Sequence, residues 1–124
     1  MKKILIILFC LISFNAFALE KKTTFDKAIF DKAQSEGKVV IVSSWIKYCI
    51  SCESQMKVLN EVEKDFENLI YLTFDVTKKE ISDLLDVQYQ TTLLIFKNNE
   101  EVYRSIGELT KNKIYKAIKS SIKI

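Results

Sequence analysis

The chain has 124 residues, 48% of them apolar and 28% charged, with a formal net charge of +3. That length suffices for one domain with a real core, and the apolar content excludes a disordered chain. The aromatic residues stand singly with no basic run among them, which argues against a nucleic-acid surface.

The first segment in chain order stands apart from the fold. Lys2 and Lys3 form a positive head, Ile4 to Phe14 an apolar stretch of eleven residues, and Ala16-Phe17-Ala18 an A-x-A cleavage site before Leu19. Eleven helical residues reach about 16 Å at ~1.5 Å each, short of a ~30 Å hydrocarbon core. Residues 1–18 therefore read as a cleaved secretory signal and residues 19–124 as the mature domain, in the periplasm or secreted. The alternative is an uncleaved anchor reaching Leu19. Cys10 lies in the apolar stretch and reads as filler. The segment holds two of the 19 basic residues and none of the 16 acidic ones, so the basic excess belongs mostly to it.

The mature chain then carries two cysteines, Cys49 and Cys52, and no His. In an oxidising compartment no other intrachain disulfide is available to it. The lack of His excludes Cys–His and Ser–His–Asp catalysis and any His-ligated metal site.

Thr23 or Thr24 can cap a first helix whose inward stripe is Phe25, Ala28, Ile29 and Ala33, with Gly37 ending it. Four β-branched residues in a row, Val39 to Val42, predict a buried strand over about Lys38 to Trp45. Met56, Leu59, Val62 and Phe66 recur at helical steps and predict a helix from about Cys49 to Phe66. Leu69 to Asp75 reads as a second strand. A long amphipathic helix between two strands implies a parallel crossover. Thr77 to Leu85 is a short helix with Ile81, Leu84 and Leu85 apolar. Thr92 to Phe96 is a third strand, Asn98-Asn99 a tight turn, and Glu101 to Ile106 the returning strand. Thr110 caps a last helix with Ile114, Ala117, Ile118 and Ile122 inward. This order predicts an α/β fold, a mixed sheet with helices on both faces.

Cys49-Ile50-Ser51-Cys52 falls where the first strand meets its helix. Thiols three apart at a helix start lie on adjacent turns and can bridge. Free backbone N–H groups and the helix dipole there favour a thiolate at Cys49, the species that attacks disulfides. Three readings stand side by side. The pair is redox-active, with Cys49 attacking and Cys52 resolving; or it is a permanent bridge, which over so short a loop constrains the unfolded chain little; or it ligates zinc, for which two thiols fall short of four ligands unless the chain dimerises. Lys47 and Lys57 either support a thiolate or form a solvated face. Asp75, Asp83 and Asp86 read as solubility and caps.

Trp45-Ile46-Lys47-Tyr48-Cys49-Ile50-Ser51-Cys52 resembles the W-x-x-W-C-x-x-C signature of the thioredoxin superfamily, with Tyr48 in place of the second Trp. The resemblance covers essentially the whole mature chain. Asp75 ends the second strand where that family commonly has Asp. Val87 to Phe96 resembles its V-x-x-x-P-T-x-x-x-F segment, and Gly107 precedes a closing amphipathic helix. Asp75-Val76-Thr77 and the leader are most similar to bacterial periplasmic members, such as the C-terminal domain of the membrane electron-transfer protein DsbD. The resemblance implies a thioredoxin-like fold with a central mixed sheet of about four strands. It implies Cys49 and Cys52 as the catalytic redox-active disulfide, and Trp45, Tyr48, Gln90 and Thr91 as substrate-binding residues.

Two departures matter most, and a third is smaller. Thr91 stands where the family has a cis-proline, and the chain has no Pro. A cis bond before a non-proline residue costs about 2.5–4 kcal/mol, which predicts a trans Gln90–Thr91 bond or else a strained exception. Ser43 stands where many members have a buried Asp that helps move the resolving cysteine's proton, which leaves that proton to water or to a side chain such as Glu53. Lys57 replaces the family's helix proline, so less of a kink is expected.

No His lies between the cysteines, so the disulfide is expected to be a weaker oxidant than in strongly oxidising relatives. The expectation is a periplasmic disulfide reductase or electron relay acting on protein disulfide or dithiol substrates. A membrane electron-transfer partner would recharge it. No metal, small-molecule cofactor or nucleic acid is expected. The rival reading is a non-catalytic thioredoxin-fold binding protein with a structural disulfide.

Overall fold

Every residue from Val39 to Trp45 is buried, and this strand is the spine of the molecule. The structure, a computed structural model, describes residues 21–124. The leader assigned to residues 1–18 lies outside the described residues. The elements in order are α1 (Lys27–Ser35), β1 (Val39–Trp45), α2 (Ile50–Asp65), β2 (Leu69–Asp75), α3 (Lys79–Leu85), β3 (Thr92–Lys97), β4 (Glu100–Ile106) and α4 (Lys111–Ile122). Within a residue or two, these are the elements read from the sequence.

The four strands form one mixed sheet in the order β2-β1-β3-β4. β1 runs parallel to β2 across α2 and antiparallel to β3. β3 and β4 form a hairpin. Its turn residues Asn98 and Asn99 have φ of 53° and 65°, the left-handed region that Asn tolerates and that a tight hairpin turn requires.

Alternation along β1 divides the core. Val40 and Val42 join Phe25, Ala33, Leu72, Phe74, Leu85 and Leu94 on the face that α1 and α3 cover. Val39 and Ile41 join Leu59, Val62, Leu93, Ile95, Ile114 and Ile118 under α2 and α4. Strand side chains point alternately to opposite faces, so a strand covered on both sides must be apolar throughout. Leu59 is fully buried at the centre of α2. Burying such a side chain contributes about 1.5–3 kcal/mol, and Leu59→Ala costs about 2–5 kcal/mol once the cavity is included.

Four local expectations are corrected. The cap of α1 is Asp26, whose carboxylate accepts from the Ile29 backbone N–H at 3.0 Å. Thr23 and Thr24 instead lie against β2. The Thr24 N–H donates to the Thr73 carbonyl at 2.8 Å, the Thr73 N–H to Thr24 Oγ1 at 2.9 Å, and the Asp75 N–H to Thr23 Oγ1 at 3.0 Å. The inward face of α1 also differs from the stripe read from the sequence. Ala28 and Ile29 turn outward, while Phe30, Ala33 and Gln34 turn inward. Leu84 also faces solvent, leaving Ile81 and Leu85 to hold α3. At α4, Thr110 is the cap residue but its hydroxyl makes no capping bond. The Glu108 carboxylate accepts the Thr110 N–H at 2.9 Å, and that bond holds the Glu108 carboxyl below its ordinary range.

Candidate active site

The C-terminal end of β1 delivers the chain into the turn Ile46–Cys49 and then into α2. Cys49 is the N-cap of α2. Its sulfur accepts the Cys52 backbone N–H at 3.2 Å, so one of the helix's unpaired amides points at it. Cys49 and Cys52 are joined as a disulfide with Cα atoms 5.3 Å apart. The two sulfurs differ in access. Cys49 is partly exposed, whereas Cys52 is 1% exposed and packs with Trp45 and Met56. An incoming thiolate therefore reaches Cys49 and not Cys52.

The turn before Cys49 is held from outside. Lys21 donates its ammonium to the carbonyls of Ile46 at 3.2 Å and Cys49 at 3.3 Å, and pairs with Glu53 at 3.4 Å. Its side chain is nearly buried by these contacts. Tyr48 takes φ 62°, which turns its ring outward to 87% exposure, with the Lys47 ammonium 5.0 Å from the ring centroid. Ile50, between the cysteines, is 80% exposed.

Thr91 closes the site from the other side. No described residue has a cis peptide bond, as the cost argument requires, and Thr91 sits at φ 60°. That is an unfavourable conformation for a β-branched residue and persists only where its surroundings over-determine it. They do so here. The Thr91 N–H donates to the Ser44 carbonyl at 2.9 Å, and its carbonyl accepts from the Gly107 N–H at 2.9 Å and from Gln55 Nε2 at 3.3 Å. Gln55 also donates to the Glu108 carbonyl at 2.9 Å. Ser44 Oγ donates to the Tyr89 carbonyl at 2.8 Å and accepts the Thr92 N–H at 3.0 Å.

This backbone aims the Thr91 hydroxyl at the disulfide. Its oxygen lies 3.2 Å from Cys52 Sγ, 3.7 Å from Cys49 Sγ and 3.0 Å from Ser51 Oγ. Ser51 Oγ in turn lies 3.3 Å from Cys49 Sγ. Ser43 is fully buried on β1, within 2.6 Å of the Tyr71 hydroxyl and 3.3 Å of Thr73 Oγ1. Burial is the main cause that pushes the Tyr71 hydroxyl up to about 12, against the bonds from Ser43 and Thr73. Glu53 is turned toward Lys21.

Of the residues singled out from the sequence, Cys49, Cys52, Trp45 and Thr91 are brought together. Trp45 is 8% exposed and packs with Cys52 and Met56. Tyr48 and Gln90 are exposed. Sequence reasoning missed Lys21, Ser44, Ser51 and Gln55. Gln55 carried a faint signal, a polar residue beside Met56 on the inward side of α2. Lys21 and Ser44 carried none, because their partners are backbone groups or residues distant in sequence, and Ser51 gains its role only through Thr91, 40 residues away.

A C-x-x-C disulfide at the start of a helix that follows the central strand, with one sulfur open and one enclosed, defines the class: a thioredoxin-like thiol–disulfide oxidoreductase. The chain belongs to the thioredoxin family, whose model matches residues 16–120 under the description Thioredoxin. It is 28% identical over 106 residues to chloroplastic thioredoxin Y1 of Arabidopsis thaliana, covering 84% of this chain and 61% of that protein. It is 24% identical over 99 residues to the thioredoxin of Rickettsia bellii, covering 78% of this chain and 94% of the relative. Among solved structures, Trxlp of Edwardsiella tarda superimposes with a TM-score of 0.68 at 26% identity, covering 74% of this chain and 92% of that one. Thioredoxin of Fasciola hepatica superimposes at 0.67 with 18% identity, covering 76% and 88%, a likeness of fold.

Proposed function

We propose that this protein is an exported disulfide reductase or electron relay, working in the periplasm after removal of residues 1–18. The reading rests on one observation: Cys49 is accessible at the N-terminus of α2 while Cys52 is enclosed behind it. In the forward direction the Cys49 thiolate attacks a substrate disulfide, forming a Cys49–substrate bond and releasing one substrate thiolate. Cys52 then attacks Cys49 Sγ, the Cys49–substrate bond breaks, and the second substrate thiolate leaves. Two electrons pass to the substrate, and the pair ends as the disulfide. Tyr48, Ile50 and Gln90 offer exposed contacts for a protein substrate, with Thr91 beneath them.

The reductase direction is supported by the residues around Cys49. The sulfur has one backbone N–H and no imidazole near it, so its thiolate is held less strongly than in a strong oxidant. A reductase in an oxidising compartment needs recharging, and a membrane electron donor is the partner this role requires. Among the described residues no helix is long and apolar enough to cross a membrane.

The test is a redox titration of the purified domain in glutathione and dithiothreitol buffers, read through Trp45 emission, together with turnover of insulin disulfides. A reversible transition near thioredoxin-like potentials, with turnover lost in Cys49→Ser, is the expected result. A much more oxidising potential would reverse the direction. An unreactive bridge would leave a binding module. Mass spectrometry of the exported protein should give a chain starting at Leu19.

A further inference from the structure

We infer that the hydroxyls of Ser51 and Thr91 form a reversible donor pair that serves whichever cysteine sulfur carries the negative charge. The inference rests on the redox reading above and adds a chemical role for two residues.

The geometry allows two arrangements of the same two protons. In one, Ser51 donates to Thr91 Oγ1 across 3.0 Å and Thr91 donates to Cys52 Sγ across 3.2 Å. In the other, Thr91 donates to Ser51 Oγ and Ser51 donates to Cys49 Sγ across 3.3 Å. Rotation of the two O–H bonds interconverts them with no movement of heavy atoms. The oxygens keep their protons in both, so the pair supplies hydrogen bonds and no net proton.

The need is greatest at Cys52. When a dithiol such as dithiothreitol reduces the protein, its thiolate attacks Cys49 Sγ. A sulfur–sulfur bond forms to Cys49, the Cys49–Cys52 bond breaks, and the electron pair leaves on Cys52. The second thiol of the reagent, as thiolate, then displaces Cys49 and closes the reagent's own disulfide. Cys52 is 1% exposed, so its departing thiolate is shielded from water. A buried charge without a donor is strongly disfavoured. Thr91 is 4% exposed, and three partners, the Ser44 carbonyl, the Gly107 N–H and the Gln55 amide, hold its backbone so that the hydroxyl lies against that sulfur. Cys49 depends on the pair less, because the Cys52 N–H already reaches it. Left-handed Thr91 is thus the conformation that brings a hydroxyl over the disulfide.

The experiment compares wild type with Thr91→Val, Thr91→Ser and Ser51→Ala. It follows reduction by dithiothreitol through Trp45 emission, and the pH dependence of Cys52 attack on a preformed Cys49 mixed disulfide. Valine keeps the branched shape and removes the hydroxyl. Thr91→Val removes a donor to a charged sulfur and is therefore expected to slow reduction about 10- to 100-fold. It should also move the pH dependence of the Cys52 attack to higher pH, because a donor to the thiolate is lost. Thr91→Ser should stay within about threefold of wild type, and Ser51→Ala should fall between them. Ser51 is partly exposed on the first turn of α2, so its variant leaves the core intact. The inference is overturned if Thr91→Val matches wild type in both measurements, or if Thr91→Ser is as slow as Thr91→Val, since shape would then be the cause. A wild-type pair that shows no reversible reduction overturns the redox reading itself, a different result from an unaffected Thr91→Val.

Discussion

The Gln55 side chain reaches from α2 to the carbonyl of Thr91, 3.3 Å away, and ties the helix bearing the cysteines to the loop that faces them. The same amide donates to the Glu108 carbonyl at 2.9 Å, and Gln55 is fully buried. Three segments distant in sequence are fixed by one side chain. Gln55→Leu removes both donations while keeping the volume. It is expected to lower stability by about 1–3 kcal/mol, since buried carbonyls lose a partner. Thr91 should also be held less firmly, so reduction by dithiothreitol should slow together with the loss of stability. Urea denaturation and the reduction rate check both. A variant as stable as wild type would show that the Ser44 and Gly107 bonds hold the loop without it.

Lys21 makes a similar tie at the opposite side of the site. Its ammonium bonds the carbonyls of Ile46 and Cys49 and pairs with Glu53. Bonds to a charged group are the stronger kind, whereas the Glu53 carboxylate is half exposed and its pairing counts for little. Lys21→Met is therefore expected to cost about 1–2 kcal/mol, and Glu53→Gln less than about 1 kcal/mol. The comparison is made by urea denaturation at moderate salt. Equal losses would place the strength in the ion pair instead.

Most of the fold is legible in the sequence because β1 and α2 obey simple periodicities. Four β-branched residues give the strand, and apolar steps of three and four give the helix. Departures occur where a side chain bonds the backbone of a remote segment. Thr24 has the chemistry of a helix cap, yet its hydroxyl accepts from Thr73 on β2, 49 residues away, and Asp26 takes the cap. The cysteine pair is legible from spacing. The hydroxyls around it are not, because Ser51 and Thr91 lie 40 residues apart and meet only when β3 is placed beside β1.

Tyr48 separates contact with substrate from stability. It is 87% exposed, and its φ of 62° is one that glycine adopts without strain. Tyr48→Gly should leave stability unchanged or raise it by a few tenths of a kcal/mol, up to about 1. Loss of the exposed ring beside Cys49 should raise KM for a protein disulfide several-fold and leave reduction by dithiothreitol nearly unchanged. Insulin kinetics and thermal denaturation check the two halves. An unchanged KM would remove Tyr48 from the docking surface.

Tyr71 ties pH to stability. Burial raises its hydroxyl to about 12 in the folded chain, from 10.0. The folded state therefore keeps this proton over a range where the unfolded state releases it. The stabilisation is fully present below about pH 10 and is lost as pH rises through about 12. A gap of two units corresponds to a ceiling of about 3 kcal/mol. Tyr115 is also raised to about 12, with desolvation first and its bond to Asp65 second, but it lies near the surface and screening reduces its share. Denaturation curves between pH 9 and 12 should fall more steeply for wild type than for Tyr71→Phe, with Tyr115→Phe close to wild type. At neutral pH, Tyr71→Phe should cost only about 0.5–1.5 kcal/mol, because Ser43 keeps Thr73 as a partner. Parallel curves for wild type and Tyr71→Phe would mean that the Ser43–Tyr71 pair opens to water before the hydroxyl titrates.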